Sequence, residues 1–342
     1  MYISSFCSII RAKVVVLLVT LMGSVILSSC SNDDGTLLPD NLLEANKRHI
    51  SFIVNLKSKW ENNNASRTAP SNSLVEQFGV YGGYYNASDE LLQTMNYMWD
   101  TESGEYMDAW QTANAFSMPP LNKEMSFYAY YPYQFVDDTI QYIKFNGNDT
   151  LRVGMPFFDF KIPSNALNQV DLMVATSKMK SDSLITGNAI NLHFSHLLTA
   201  VRFTIDESVQ KGFIREISID SVSSGGSLYF EDDTNDWRTV NDSLGSYKLT
   251  ADIRVGSGEK VTLADDYTFM MMPQFLGEKA VVTIKYDNGQ LLTLTSSLAG
   301  KHWEKGKIVT YNIKINSLNN VTLTSTVEPW EDGETFSWES SF

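Results

Sequence analysis

Apolar and polar residues alternate with a period of two along much of this chain, the pattern of half-buried β-strands. Ile50, Phe52, Val54 and Leu56 share one face, and Ser51, Asn55 and Lys57 take the other. Short β-branched or aromatic runs follow at Phe78 to Tyr85, Ser126 to Tyr131, Ile140 to Phe145 and Asp171 to Ser177. Each is bounded by Gly, Pro, Asn or Asp, the residues that favour turns. Residues 86–120 are aromatic and polar without a clean period, which predicts loops and short strands. A second series starts near Ile190. Leu197, Thr199, Val201, Phe203 and Ile205 alternate with Leu198, Ala200, Arg202 and Thr204, and further strands are predicted to Val309 to Ile315. No long amphipathic helix with caps is apparent. The pattern predicts an all-β chain with two β-sandwich domains in tandem, residues 50–180 and 188–342. The linker falls in Lys178 to Gly187, where Lys, Ser, Asp and Gly concentrate.

The two ends read differently. Arg11 and Lys13 precede an uncharged apolar stretch from Val14 to Ser29. It is too short and too close to the N-terminus to favour a membrane span, so residues 1–29 read as a signal peptide. The stretch ends in Leu27-Ser28-Ser29-Cys30, which resembles a bacterial lipobox. That resemblance implies acylation of Cys30 as the first residue of the mature chain, followed by a polar tether over 30–49. Ser31-Asn32-Asp33-Asp34 resembles the surface-export signal of Bacteroidetes lipoproteins. At the other end Val321, Leu323, Ser325 and Val327 alternate with Thr322, Thr324 and Thr326. Such a segment can add itself to a sheet edge in another molecule, and the same pattern serves a last strand paired at home. Beyond it Phe336 and Trp338 again share a face.

Composition narrows the functional classes. Of 342 residues, 43% are hydrophobic and 12% aromatic, so large cores can form. Lys and Arg total 26 against 40 Asp and Glu, a net charge of −14. Residues 1–29 carry two of the bases and no acid, so their removal deepens the imbalance. An acidic chain is a poor partner for nucleic acid, whose phosphates need a basic face. Cys7 and Cys30 alone supply no disulfide framework and no cysteine zinc site.

Candidate chemistry is sparse. No Gly-x-Ser-x-Gly elbow, phosphate loop or dinucleotide fingerprint occurs. His193 and His196 are an odd number of residues apart, so a strand would place them on opposite faces, unable to share a metal ion. Glu231-Asp232-Asp233-Thr234-Asn235-Asp236 lacks the calcium-loop spacing and reads as a solvated turn. No cofactor, metal site or catalytic residue is expected. Tyr97, Trp99, Tyr106 and Trp110 could pack in a core or stack on sugars. The second use would make the chain a surface glycan-binding lipoprotein contacting its ligand through Trp99 and Trp110.

Several segments together resemble the fimbrillin family of Bacteroidales, two-domain lipoprotein pilins. They are Phe127-Tyr128-Ala129-Tyr130-Tyr131-Pro132, Asp171-Leu172-Met173-Val174-Ala175-Thr176 and the run from Leu192 to Phe203. Met272-Pro273-Gln274, Trp303-Glu304-Lys305-Gly306-Lys307 and Val327-Glu328-Pro329-Trp330 complete the set. The resemblance implies transthyretin-like β-sandwiches, export to the cell outer membrane, and polymerisation with other fimbrial subunits without enzymatic activity. It also implies a surface receptor for adhesion. In the family an Arg-specific protease frees the first strand, and a neighbouring subunit's donor strand takes its place. Arg67-Thr68 is the matching cut site here, Arg48 is a rival, and Val321, Leu323 and Val327 mark the candidate donor strand. Asp-Ser/Thr-aliphatic tripeptides resemble an O-glycosylation signal of exported Bacteroidales proteins and mark Thr139, Thr150, Ser183, Ser221 and Ser243.

Overall fold

The computed structural model describes residues 47–56, 77–85, 95–106, 109–133, 136–137, 140–141, 143–146, 156–230, 235–240, 243–264, 267–316 and 318–330. For Met95–Tyr106 it describes the backbone alone. Almost every regular element among these residues is a strand.

Seven strands of the N-terminal half close into a ring. Its order is Met173–Lys180, Ile190–His196, Ser51–Leu56, Ala109–Thr112, Met95–Tyr106, Phe78–Tyr85 and Glu124–Tyr131, the last pairing back onto Met173–Lys180. A sandwich and a barrel both need one inward and one outward face per strand, so alternation alone does not tell them apart. Ile190–His196 shows why the sequence folds this way locally. Ile190, Leu192, Phe194 and His196 are buried, while Asn191, His193 and Ser195 are exposed. The barrel interior holds Ile50, Phe52, Phe78, Met125, Phe127, Ile190, Leu192 and Phe194, among others.

Two expectations about the boundary change. Ile190–His196, expected to open the second domain, is hydrogen-bonded into the first ring between Met173–Lys180 and Ser51–Leu56. The segment expected as a linker is structured: the Met173–Lys180 strand runs into a short helix, Ser181–Ile185. Ser181 N donates to Lys123 O at 2.8 Å, and Asn122 N donates to the Asp182 carboxylate at 2.9 Å, which docks that helix on the loop before Glu124–Tyr131. Polar composition marked a turn but could not reveal that both flanking strands belong to one barrel.

The C-terminal half builds two more sheets. One runs Val261–Thr262, Thr199–Ile205, Lys307–Ile315, Val321–Pro329, with Phe269–Met271 also on Thr199–Ile205. The other runs Leu244–Val255, Gly212–Ser223, Val281–Asp287, Leu291–Ser297. Val201, Phe203, Tyr311 and Ile313 from the first share a continuous core with Ile217, Ile219, Val282 and Ile284 from the second. A third sheet joins the halves, because Phe157–Lys161 pairs with Gly225–Tyr229. A Cβ at Gly225 would collide with the carbonyl of Phe160, so this close approach requires glycine.

Candidate functional site: the slot of the leading strand

Ser51–Leu56 is the leading strand of the barrel, and neither of its partners is a neighbour in sequence. It pairs parallel to Ile190–His196, with Phe52 opposite Ile190 and Leu56 opposite Phe194. On its other side Ser51 and Phe52 pair antiparallel with Gln111 and Trp110. Ile50 and Phe52 are buried, whereas Ile53 points outward and is exposed. The Phe52 ring meets Phe78 edge-on at 5.6 Å, and Phe78 in turn touches Phe194 at 5.5 Å and Trp110 at 5.3 Å. Burying Ile50 and Phe52 contributes about 3–6 kcal/mol together, at about 1.5–3 kcal/mol for each large apolar side chain.

Polar contacts fix where the leading strand begins. Ile50 N donates to Thr112 Oγ1 at 3.1 Å, and Thr112 N donates to Ile50 O at 3.0 Å. His49 Nδ1 lies 2.8 Å from Thr112 O. Arg48 Nη1 donates to Ile185 O at 2.7 Å, and Lys47–Arg48 pairs with Phe116–Ser117. The slot thus consists of two strand edges, an aromatic floor and a polar clamp at its N-terminal end. Such a slot recognises an extended chain through backbone hydrogen bonds and takes alternate apolar side chains into its floor.

The closing strand, Val321–Pro329, pairs antiparallel along its whole length with Lys307–Ile315, from Val321 opposite Ile315 to Pro329 opposite Lys307. It ends the order of its sheet. Val321 and Leu323 are half-buried and pack on the core, and Val327 is 59% exposed. Immediately after it, Trp330 is buried and lies flat on His196, with ring centroids 3.9 Å apart and planes 5° apart. His196 Nδ1 stands 2.9 Å from both carboxylate oxygens of Asp171. His193 is exposed on the opposite face of the same strand, as the spacing requires.

The other sequence candidates are scattered. Cys30, Arg67, Thr68, Thr139 and Thr150 lie outside the described residues. Trp99 stands opposite Gly82 in the barrel ladder. Trp110 is half-buried with its ring on Phe78, inside the slot. Ser183 lies half-buried in the short helix, and Ser243 is exposed. Ser221 is half-buried at φ 60°, within the register shift between Asp220 and Val222. The neighbouring Asp220 accepts hydrogen bonds from Ser218, Ser246 and Thr283, which ties three strands together. Among the described residues no group of three or more acidic, histidine or cysteine side chains could hold a metal ion. Sequence reasoning missed Thr112 and the aromatic floor of Phe78 and Phe194. Those residues sit in separate strands, and only the pairing brings them together.

Comparison with known proteins follows the same outline. A family model described as fimbrillin-like matches residues 67–330, so the match begins after the leading strand. A fimbrial protein from Bacteroides vulgatus superposes with a TM-score of 0.56 at 17% identity, covering 82% of this chain and 99% of that one. A cell adhesion protein from Bacteroides uniformis gives 0.52 at 15% identity, covering 83% of this chain and 99% of that one. At such identities the two structures speak for the fold. Among curated proteins no sequence match is found.

Proposed function

The chain belongs to the fimbrillin-like family, and from that premise we propose how it works as a structural or adhesive subunit of cell-surface fimbriae. It is exported as a lipoprotein acylated at Cys30 and held at the outer membrane. A protease then cuts after Arg67, and the subunit polymerises with others by strand exchange. No reaction is needed for this work.

The observation that carries the reading is the position of Ser51–Leu56. It completes a barrel between two strands remote from it in sequence, and the segment that follows it carries Arg67. A cut there would disconnect the strand covalently from everything after it. Departure of the strand would open the backbone edge of Ile190–His196 and uncover Phe78 and Phe194. An extended apolar segment from another subunit would then restore both the ladder and the burial. We assign the donor to the C-terminal end. The run Val321 to Val327 supplies the alternation, and as a donor it would first have to leave Lys307–Ile315.

The test is the N-terminus of the mature protein, read by mass spectrometry of surface material from the native bacterium. A start at Thr68 is expected in assembled protein. A start at acylated Cys30 alone would keep the leading strand in place and overturn assembly by its release.

A further inference from the structure

A cleft of about 1030 Å³ opens on the C-terminal half beside a two-stranded ribbon, Gln274–Phe275 paired with His302–Trp303. It is at the upper end of the size usual for small-molecule sites, about 300–1,000 Å³. The strand-exchange reading makes no use of it. Its most conspicuous wall is the ring of Phe275, which is 79% exposed. One face of that ring lies flat on the imidazole of His302, with centroids 3.9 Å and planes 9° apart. An apolar wall facing a few polar groups across a cleft is the usual form of a small-molecule site. Leu244, 58% exposed, and Trp237 extend the apolar lining.

The shelf is held in place. Gln274 Oε1 accepts from Ser223 N at 2.9 Å, and Gln274 Nε2 donates to Met272 O at 3.1 Å. The first bond fastens the ribbon to the end of the Gly212–Ser223 strand, and the second holds the Gln274 side chain against its own segment. Trp303, the next residue along, is buried and donates from Nε1 to Tyr311 Oη at 3.0 Å.

The polar rim selects the ligand. Lys305 is engaged by Asp236 and by Asn235 O. Glu278 and Glu304 line the cleft, with Glu304 Oε1 3.7 Å from His302 Nδ1. Carboxylates around an aromatic shelf accept hydrogen bonds from hydroxyl groups, and although Lys279 also stands exposed on the rim, Asp236, Glu278 and Glu304 outnumber Lys279 and Lys305 and keep the rim net negative, which disfavours a phosphate or sulfate. A pyranose ring has the matching chemistry, with one C–H face that lies on an aromatic ring and a girdle of hydroxyl donors. We propose that this cleft binds a neutral saccharide, one sugar ring seated on the open face of Phe275 with its hydroxyls donating to Glu278 and Glu304.

The proposal is tested by saturation-transfer NMR on the purified full chain. The probes are methyl β-D-glucopyranoside, methyl β-D-galactopyranoside and N-acetylglucosamine. At least one is expected to bind with a Kd of about 1–10 mM, a weak affinity of about 3–4 kcal/mol suited to a single ring. Its ring C–H protons should receive the strongest saturation. Phe275→Ala should weaken binding about tenfold, Phe275→Tyr should retain it, and the Glu278→Gln, Glu304→Gln pair should weaken it severalfold. Because Phe275 is exposed, the unfolding midpoint of Phe275→Ala should match that of the parent chain. No binding by any probe up to about 50 mM would overturn the proposal, since that is well beyond the stated range. So would unchanged binding by Phe275→Ala. Capture of a peptide spanning residues 330–342 at Phe275, with no sugar signal, would make the cleft a subunit contact and would likewise overturn it. Multimer formation measured on the same variants separates this site from strand exchange, because Phe275 lies outside the slot.

Discussion

Phe52 and Asp206 show two ways in which one residue sets a property of this protein. Phe52 fills the barrel floor against Phe78, and truncation would leave a hole beneath two strands. Phe52→Ala is expected to cost about 3–5 kcal/mol in urea unfolding of the uncut chain. Ile53→Ala, one residue along and exposed, is expected to change stability by less than about 0.5 kcal/mol. Asp206 acts by charge. Hydrogen bonds from the Ser208 side chain, the Ser208 backbone and the Asn312 amide hold its carboxyl at about 2, below the ordinary 3.8. A lowered pKa in the folded state means that the ionised form stabilises the fold. That contribution is complete above about 3.8 and disappears as pH falls through about 2. Asp206→Asn should therefore melt below the parent chain at pH 7, and the gap in Tm should close by pH 2. A gap that persists unchanged at pH 2 would assign the effect to shape and not to ionisation.

At the scale of elements, the leading and closing strands differ in how they are attached. The leading strand is wedged between partners that other parts of the chain supply, and its outward link is the segment with Arg67. The closing strand forms a continuous nine-residue ladder with Lys307–Ile315. Arg67→Ala should therefore retain residues 47–56 in surface protein and yield monomer on unheated SDS gels, where the parent chain yields a ladder of multimers. Truncation at Ser317 should abolish the ladder too, but through loss of the donor and exposure of the Lys307–Ile315 edge. The two variants are told apart by adding parent subunits, since an acceptor slot survives in the truncated chain once it is cut. The periodicity of both strands was legible beforehand, because alternation of side chains is local. Their partners were not. Parallel pairing of Ser51–Leu56 with Ile190–His196 joins residues about 140 positions apart, and nothing in either segment names the other. For the same reason the local pattern places a domain boundary ahead of Ile190–His196 and carries no sign of the short helix after Lys180.

Across the whole molecule, distant segments are tied at a few buried points. Trp330, after the closing strand, stacks on His196, which belongs to the N-terminal barrel and sits against Asp171. Trp330 N also donates to Gly306 O at 3.0 Å. Trp330→Ala should lower the unfolding midpoint of the chain by an amount equivalent to about 3–5 kcal/mol, read by circular dichroism. By itself the sequence determined the all-β class, the acidic balance, the separation of His193 from His196 onto opposite faces, and the resemblance to fimbrillins. These follow from residue identity and short spacing, which the chain carries without folding. Folding settled that seven strands close into a ring, that Phe157–Lys161 reaches across to Gly225–Tyr229, and that Trp330 comes to rest on His196. It also placed Phe275 on His302 beside two carboxylates. Each of these is a pairing between segments far apart in the chain. Such a choice depends on which edges and apolar faces remain uncovered when all the strands compete for partners.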